Sequence, residues 1–108
     1  MISRIVDCNV KTEKLNHFKE TLNTDFVPRI KSQPGFVDIL EGVDPTTGHF
    51  VCTTLWETKG DVEKYSNGLF QEIAGTLGPL MTDAPKVSTL EVENSTAHNI
   101  KAGKAAAA

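Results

Sequence analysis

The residues best suited to chemistry in this chain are three histidines and two cysteines, and none of them falls in a pattern typical of a catalytic or metal site. Cys8 and Cys52 are too few and too far apart for a zinc ligand set or a disulfide framework, so we expect reduced, buried thiols. His17 faces solvent on a predicted helix, His98 lies near the C-terminus, and only His49, at the start of a predicted strand, could reach a ligand. The sequence therefore predicts no metal site and no bound cofactor.

Length, composition and charge exclude several classes of protein. With 108 residues, 39% of them hydrophobic, the chain fits a single globular domain. Its formal charge of -3 means that the chain has no overall positive charge to attract the phosphate backbone of a nucleic acid. The first predicted strand also has no aromatic residue on which an RNA base could stack. No apolar run approaches the roughly 18 residues of a membrane span, and the N-terminus lacks the order of a signal peptide. We therefore expect a cytoplasmic protein that binds neither nucleic acid nor membrane.

The spacing of apolar residues predicts the element order β-α-β-β-α-β. The predicted strands are Ile2 to Val10, Phe36 to Val43, His49 to Glu57 and Lys86 to Glu93. An apolar stripe from Leu15 to Ile30 predicts the first helix, and a second stripe from Val62 to Leu77 follows the capping box of Thr58 and Asp61. We assign residues 1–94 to one domain and residues 95–108 to a disordered, Ala-rich tail.

This order indicates an α+β protein of the ferredoxin-like class, with a four-stranded antiparallel sheet and two helices on one face. The strands are nevertheless apolar on both sides: in the second strand, Phe36 and Leu40 point one way while Val37 and Ile39 point the other. A sheet with one wet face should instead alternate apolar and polar residues. The simplest cover for the second face is another copy of the chain, which predicts a homodimer.

Three segments carry a resemblance to a known family. They are Gln33 to Phe36 at the end of the first helix, Asp44 to Gly48 between two strands, and Thr54 to Thr58 leading into the second helix. From Ile2 to about Val92 the chain resembles the antibiotic-biosynthesis-monooxygenase-like domains of the dimeric α+β barrel superfamily. The resemblance implies two sheets facing each other across a dimer. It also implies one of three functions: oxygenation of aromatic phenols without metal or flavin, haem degradation, or no known activity.

The resemblance also implies a pocket between the sheet and the helices. Its predicted ligand-binding residues are Phe50, Cys52 and Trp56 on one face of the third strand, together with Tyr65 from the second helix. For Trp56 the alternative is a purely structural core anchor, and for Tyr65 a packed ring. Two departures weaken the oxygenase pattern, because Cys52 stands where the pattern has asparagine and Val62 stands where it has tyrosine. No catalytic base is apparent.

Two functions remain open from the sequence. The first is a cofactor-independent monooxygenase-like protein that binds a small apolar or aromatic molecule. The alternative is a non-catalytic ligand-binding or stress-associated dimeric barrel, favoured by the missing base. Haem degradation is disfavoured because the second helix contains no histidine between Tyr65 and Met81.

Overall fold

The computed structural model describes residues 1–101, and in them four strands form one antiparallel sheet in the order β2-β3-β1-β4. The strands are β1 (Ile2–Asn9), β2 (Phe36–Val43), β3 (His49–Trp56) and β4 (Lys86–Glu91). Each neighbouring pair is antiparallel, and the observed strand ends lie within two residues of the predicted ones. The helices pack on one face of this sheet around a single apolar core. The predicted ferredoxin-like α+β fold is confirmed.

The first helical region is continuous from Leu15 to Lys31 but changes its winding in the middle. It consists of α1 (Leu15–Thr21), a π-helical segment (Leu22–Phe26) and α2 (Val27–Lys31). Phe18, Leu22, Phe26 and Ile30 are all buried and stand four residues apart. Four residues of an α-helix turn through about 400°. In a regular α-helix, side chains spaced four apart would therefore shift by about 40° around the helix axis at each step. The wider π turn cancels this drift and keeps Ile30 on the core side.

The second helical region was predicted as one helix and is two, α3 (Lys59–Asn67) and α4 (Leu69–Leu77). Its start is as predicted, since the Thr58 hydroxyl accepts a hydrogen bond from the Asp61 backbone N–H at 3.1 Å and donates one to the Asp61 carboxylate at 2.7 Å. The break falls at Gly68, whose φ of -109° and ψ of -105° are not helical. The glycine thus ends α3 rather than only weakening a longer helix.

Strand β2 contains an irregularity that corrects the predicted assignment of its faces. Phe36 pairs with Trp56 and Asp38 pairs with Leu55, so Val37 is the extra residue of a β-bulge. Phe36 consequently packs against the core, whereas Leu40 points to the opposite face and is 72% exposed. The prediction that Phe36 and Leu40 share a face was wrong, because one extra residue reverses the alternation of side chains.

The face of the sheet away from the helices is apolar in part and open. Leu40 and Leu90 are the most exposed large apolar side chains among the described residues, at 72% and 57%. Together with Leu55 and residues between 91 and 98 they border a hollow of about 680 Å³. We call this surface the open face. In the described part of the chain, no helix has the length and apolar character needed to cross a membrane.

The segment after β4 is folded where a disordered tail was predicted. Ser95 and Ile100 exchange two backbone hydrogen bonds of 2.7 and 2.8 Å, and the His98 Nε2 atom lies 3.1 Å from the Asp38 carboxylate. The two backbone bonds close residues 95–100 into a turn, and the His98 contact attaches this turn to β2. The predicted tail therefore differs from the structure over its first part, and the rest of it, residues 102–108, lies outside the described residues.

Candidate functional site

A small cavity of about 60 Å³ lies between the sheet and the helices. Its walls come from β1, β3, α1 to α4, the π-helical segment and the residues that follow α4. They are formed by Arg4, Val6, Cys8, Phe18, Leu22, Ile30, Phe50, Cys52, Thr54, Tyr65, Phe70, Ile73, Ala74, Leu77, Gly78, Met81 and Pro85. Apart from Cys52, the half-buried members of this set all belong to residues 70–85. The cavity therefore meets solvent beside α4 and the segment that follows it, and as it stands it has room for a few water-sized groups.

Three of the four residues that the sequence predicted as ligand-binding line this cavity. Phe50 and Cys52 are on the inner face of β3, and Tyr65 reaches the cavity from α3. The alternation of β3 side chains puts the two strand residues on the same side of the sheet. The structure thus brings these three side chains together around one space.

Trp56, the fourth predicted residue, is a core residue that does not line the cavity. Its side chain is 0% exposed, and its ring stacks on Tyr65 with centroids 4.7 Å apart and meets Phe36 edge to face at 5.8 Å. The indole N–H donates to the Thr54 hydroxyl at 2.8 Å. Because this donor is satisfied inside the protein, it is not free to orient a substrate oxygen. The placement of Trp56 in the pocket is therefore corrected.

The titratable side chains on the cavity wall are held in their protonated forms. Burial raises the pKa of the Cys8 thiol to about 11 and that of the Cys52 thiol to about 12. Burial likewise raises the pKa of the Tyr65 hydroxyl. Since desolvation disfavours the charged form of an acid, neither thiol is a thiolate at neutral pH and Tyr65 is not a phenolate. These groups supply polarity at the wall but no ready base or nucleophile.

The most unusual residue at the cavity is Arg4, which the sequence analysis did not single out. It projects from the inner face of β1, its side chain is only 3% exposed, and its Nε–H donates to the Ser66 hydroxyl at 3.0 Å. Its guanidinium carbon lies 3.9 Å from the centre of the Phe70 ring. The sequence did contain a signal for this burial. Arg4 stands two residues from both Ile2 and Val6, so all three side chains lie on the same face of the strand, the one that faces the core.

The histidines lie away from the cavity. His17 is exposed, as predicted. The His49 Nε2 atom lies 2.8 Å from the Asp7 carboxylate, and both side chains are about half exposed, so this pair is a surface contact and not part of the cavity wall. Within residues 1–101, no group of three or more histidine, cysteine or acidic side chains could hold a metal ion.

Comparison with known proteins gives structural neighbours only. No family model matches the chain, and no curated protein matches it. A protein from Nitrosomonas europaea, provisionally named an antibiotic biosynthesis monooxygenase, is 24% identical with a TM-score of 0.72, covering 87% of this chain and 100% of its own. A similarly named protein from Deinococcus radiodurans is 19% identical with a TM-score of 0.74, covering 88% and 95%. A monooxygenase from Streptomyces coelicolor in complex with the ligand nanaomycin D is 16% identical with a TM-score of 0.72, covering 87% and 88%.

Proposed function

Because the chain has the fold of the antibiotic-biosynthesis-monooxygenase-like domains, we propose that its inner cavity widens at the mouth beside α4 to bind a small apolar or aromatic molecule and that this molecule is oxidised there by O₂ without metal or flavin. The observation that carries the proposal is the cavity itself, a space enclosed by aromatic side chains and by aliphatic ones from the π-helical segment, α2 and α4; the aromatic residues are Phe18, Phe50, Tyr65 and Phe70. Ligand sites are typically of this kind, apolar with a few polar groups. A neighbour of the same fold holds nanaomycin D.

The chemistry that such a wall can support depends on the substrate more than on the protein. An electron-rich phenol or anthrone can give electrons to O₂ once it is ionised, and a dry apolar space protects the reactive anion. In an anthrone a ring CH₂ becomes C=O, one oxygen atom enters the product, and the other leaves as water with the two hydrogens. In a hydroquinone one oxygen atom enters a ring C–H bond to give a hydroxyl group, the ring is oxidised to the quinone, and the other oxygen atom leaves as water with the two hydrogens of the original hydroxyl groups. All four electrons come from the substrate, so no further reductant is needed.

The test of this function is oxygen consumption with hydroquinones and anthrones, in the wild type and in a variant whose cavity is filled. Ala74 lies on the wall beside the mouth, and Ala74→Phe places a ring in the cavity. We expect the wild type to accelerate oxygen uptake above buffer and Ala74→Phe to lose at least about 90% of that rate, since substrate and ring compete for one space. Native mass spectrometry should show the same loss of bound substrate.

The matched control is Gly75→Ala, one residue further along α4. Gly75 is exposed and a methyl group added there meets no atom within 4 Å, so this variant should keep the full rate. Absence of oxygen uptake by the wild type with every substrate would refute the enzymatic part of the proposal. Equal rates in the wild type and in Ala74→Phe would refute the assignment of the cavity as the site.

A non-catalytic binding protein is the second candidate function, and the absence of a base favours it. No carboxylate or imidazole lines the described cavity, and the thiols of Cys8 and Cys52 are protonated at neutral pH. In that case native mass spectrometry of freshly purified protein should find a retained small molecule that O₂ does not change. Turnover of any of the tested phenols would instead favour the monooxygenase and exclude a purely binding function.

We also propose that the open face is covered by a second copy of the chain. Leu40 and Leu90 expose apolar area that costs roughly 25 cal/mol per Å² while it stays in water. An isologous dimer would cover the same patch on both copies at once. This assembly agrees with the two-sided apolar character of β2.

Sedimentation equilibrium of Leu40→Glu tests the dimer. We expect the wild type to be a dimer at micromolar concentration and Leu40→Glu to shift toward the monomer, because two like charges would then be brought into an apolar seam. Thr76→Glu, which adds the same charge to exposed α4 on the helical side, should stay dimeric. A wild type that sediments as a monomer at that concentration would disprove the proposed assembly.

A further inference from the structure

Among residues 1–101, Arg4 is the only charged side chain on the cavity wall, and it is almost completely buried. We propose that the ligand of this cavity carries an anionic oxygen, as a phenolate, an enolate or a carboxylate does, and that Arg4 binds that oxygen. This inference rests on the proposed function, namely that the cavity takes a small molecule. It adds the chemical class of that molecule and the residue that selects it.

The first step of the argument is the missing counter-charge. A buried cation normally has a carboxylate partner, because an unpaired charge in an apolar environment is costly. Among residues 1–101, no acidic side chain forms an ion pair with Arg4, and the one hydrogen bond of its guanidinium goes to the uncharged Ser66 hydroxyl. The fold therefore holds a full positive charge without neutralising it.

The second step is where the remaining N–H groups point. A guanidinium has five N–H donors, and only the Nε–H of Arg4 is used. No side-chain nitrogen or oxygen that is completely enclosed lacks a partner in the described structure. The terminal nitrogens of Arg4, which have no partner among the described residues, are consequently not completely enclosed by the protein, and Arg4 is one of the residues that line the cavity. These nitrogens can donate parallel hydrogen bonds to an anionic oxygen of a ligand.

The third step concerns the groups that surround Arg4. They are Cys52 and Thr54 from β3, Tyr65 and Ser66 from α3, and Phe70 from α4. The rings of Phe70 and Tyr65 hold the cation at 3.9 and 5.3 Å without cancelling its charge. Burial lowers the pKa of Arg4, although an arginine remains protonated near neutral pH, and the raised pKa values of Cys52 and Tyr65 keep both groups neutral. An incoming oxyanion would be the missing counter-charge.

The experiment compares pairs of single-ring ligands that differ only in the acidic group. The pairs are 4-nitrophenol with 4-nitroanisole and 4-nitrobenzoate with its methyl ester, and binding is measured by calorimetry. We expect the ionised member of at least one pair to bind about 10-fold to 100-fold more tightly, the range typical of charge-assisted hydrogen bonds. The pair that shows the larger ratio identifies the source of the oxyanion. Bound 4-nitrophenol should also ionise at a pH at least about one unit lower than free 4-nitrophenol, seen as the visible absorption of its anion.

Variants then assign the effect to Arg4. Arg4→Met keeps the volume and removes the charge, so it should reduce the ratio to near one and abolish the shift in ligand ionisation. Arg4→Lys, which keeps a charge but loses the parallel donors, should retain part of both. Arg29→Met removes an exposed arginine that pairs with Glu72 at 2.7 Å, and should change neither. The ionisation shift separates a binding role from a structural one, because a merely structural arginine would not move it.

The outcomes are distinct for the inference and for the proposed function. If the uncharged members bind as tightly as the acids to the wild type, this inference is overturned while a small-molecule function stands. If no member of either pair binds, this inference is overturned, and the oxygen-consumption measurement decides separately whether the proposed function stands. The comparison of ionised with uncharged ligands on the wild-type protein tests the inference even if no variant at position 4 folds.

Discussion

Replacing Trp56 by alanine should lower the free energy of unfolding by about 3–5 kcal/mol, the range for removing a large buried aromatic side chain. The indole is completely buried, stacks on Tyr65 and meets the edge of Phe36. Its loss leaves a void at the junction of sheet and helices, and it also removes the donor that satisfies the Thr54 hydroxyl. Chemical denaturation at one fixed protein concentration measures the effect, because dimerisation would make stability depend on concentration.

The same position separates a structural role from a substrate-orienting one. Trp56→Phe retains the ring contacts in part and loses the indole N–H, so it should destabilise less than alanine does. Because Trp56 does not line the cavity, Trp56→Phe should keep the ligand affinity and any oxygen uptake within about twofold of the wild type. A stability loss below about 1 kcal/mol for alanine, or loss of binding in the folded phenylalanine variant, would contradict this assignment.

A second large effect is expected at Gly48, in the turn between β2 and β3. Its φ of 80° lies in the left-handed region, and a Cβ atom added there would overlap the backbone carbonyl oxygen of Val10. Left-handed backbone costs a non-glycine residue on the order of 1–3 kcal/mol. Relief of the overlap would also break the 2.8 Å hydrogen bond from the Val10 N–H to the Gly48 carbonyl. We expect Gly48→Ala to lose about 2–4 kcal/mol of unfolding free energy.

Gly42 provides the control for this prediction within the neighbouring strand. Its φ is not positive, and a methyl group added there would meet no atom within 4 Å. Gly42→Ala should therefore change the stability by less than about 0.5 kcal/mol. Thermal and denaturant unfolding of the two variants side by side would show whether the special backbone at Gly48 matters. Equal effects at the two glycines would show that it does not.

The order of the elements was predictable from the sequence because it depends on local periodicity. The alternation in Ile2–Asn9 and the stripe from Val62 to Leu77 each reflect one element against one core. The irregularities were not predictable in the same way. The bulge at Val37 shifts the alternation of side chains in β2 by one residue. The break at Gly68 interrupts the helical spacing of apolar residues between α3 and α4. Only the long-range packing of the strand or helix decides whether such a change is accepted.

The candidate site was predicted in part for a similar reason. Phe50, Cys52 and Tyr65 are on apolar faces that any core of this fold would enclose, and the resemblance to a known family implied a pocket between the sheet and the helices at these positions. Trp56 shares their face, but its position at the end of β3 puts it beyond the cavity wall. Arg4 was passed over because a single cation in a strand is usually an edge or surface residue. Its burial depends on Ser66 and Phe70, more than 60 positions away in the sequence.

The π-helical segment Leu22–Phe26 also determines what a deletion would do. A π turn holds one residue more than an α turn, so a chain shortened by one residue there could continue as an ordinary α-helix with its hydrogen bonds intact. An α turn would then replace the wider turn, so the residues after the deletion would keep nearly the same orientation. Ile30 would stay on the cavity wall and Arg29 would still face Glu72. The same deletion inside α4 would instead rotate everything that follows it by about 100°, so the chain should tolerate the loss of one residue far better within Leu22–Phe26 than within α4.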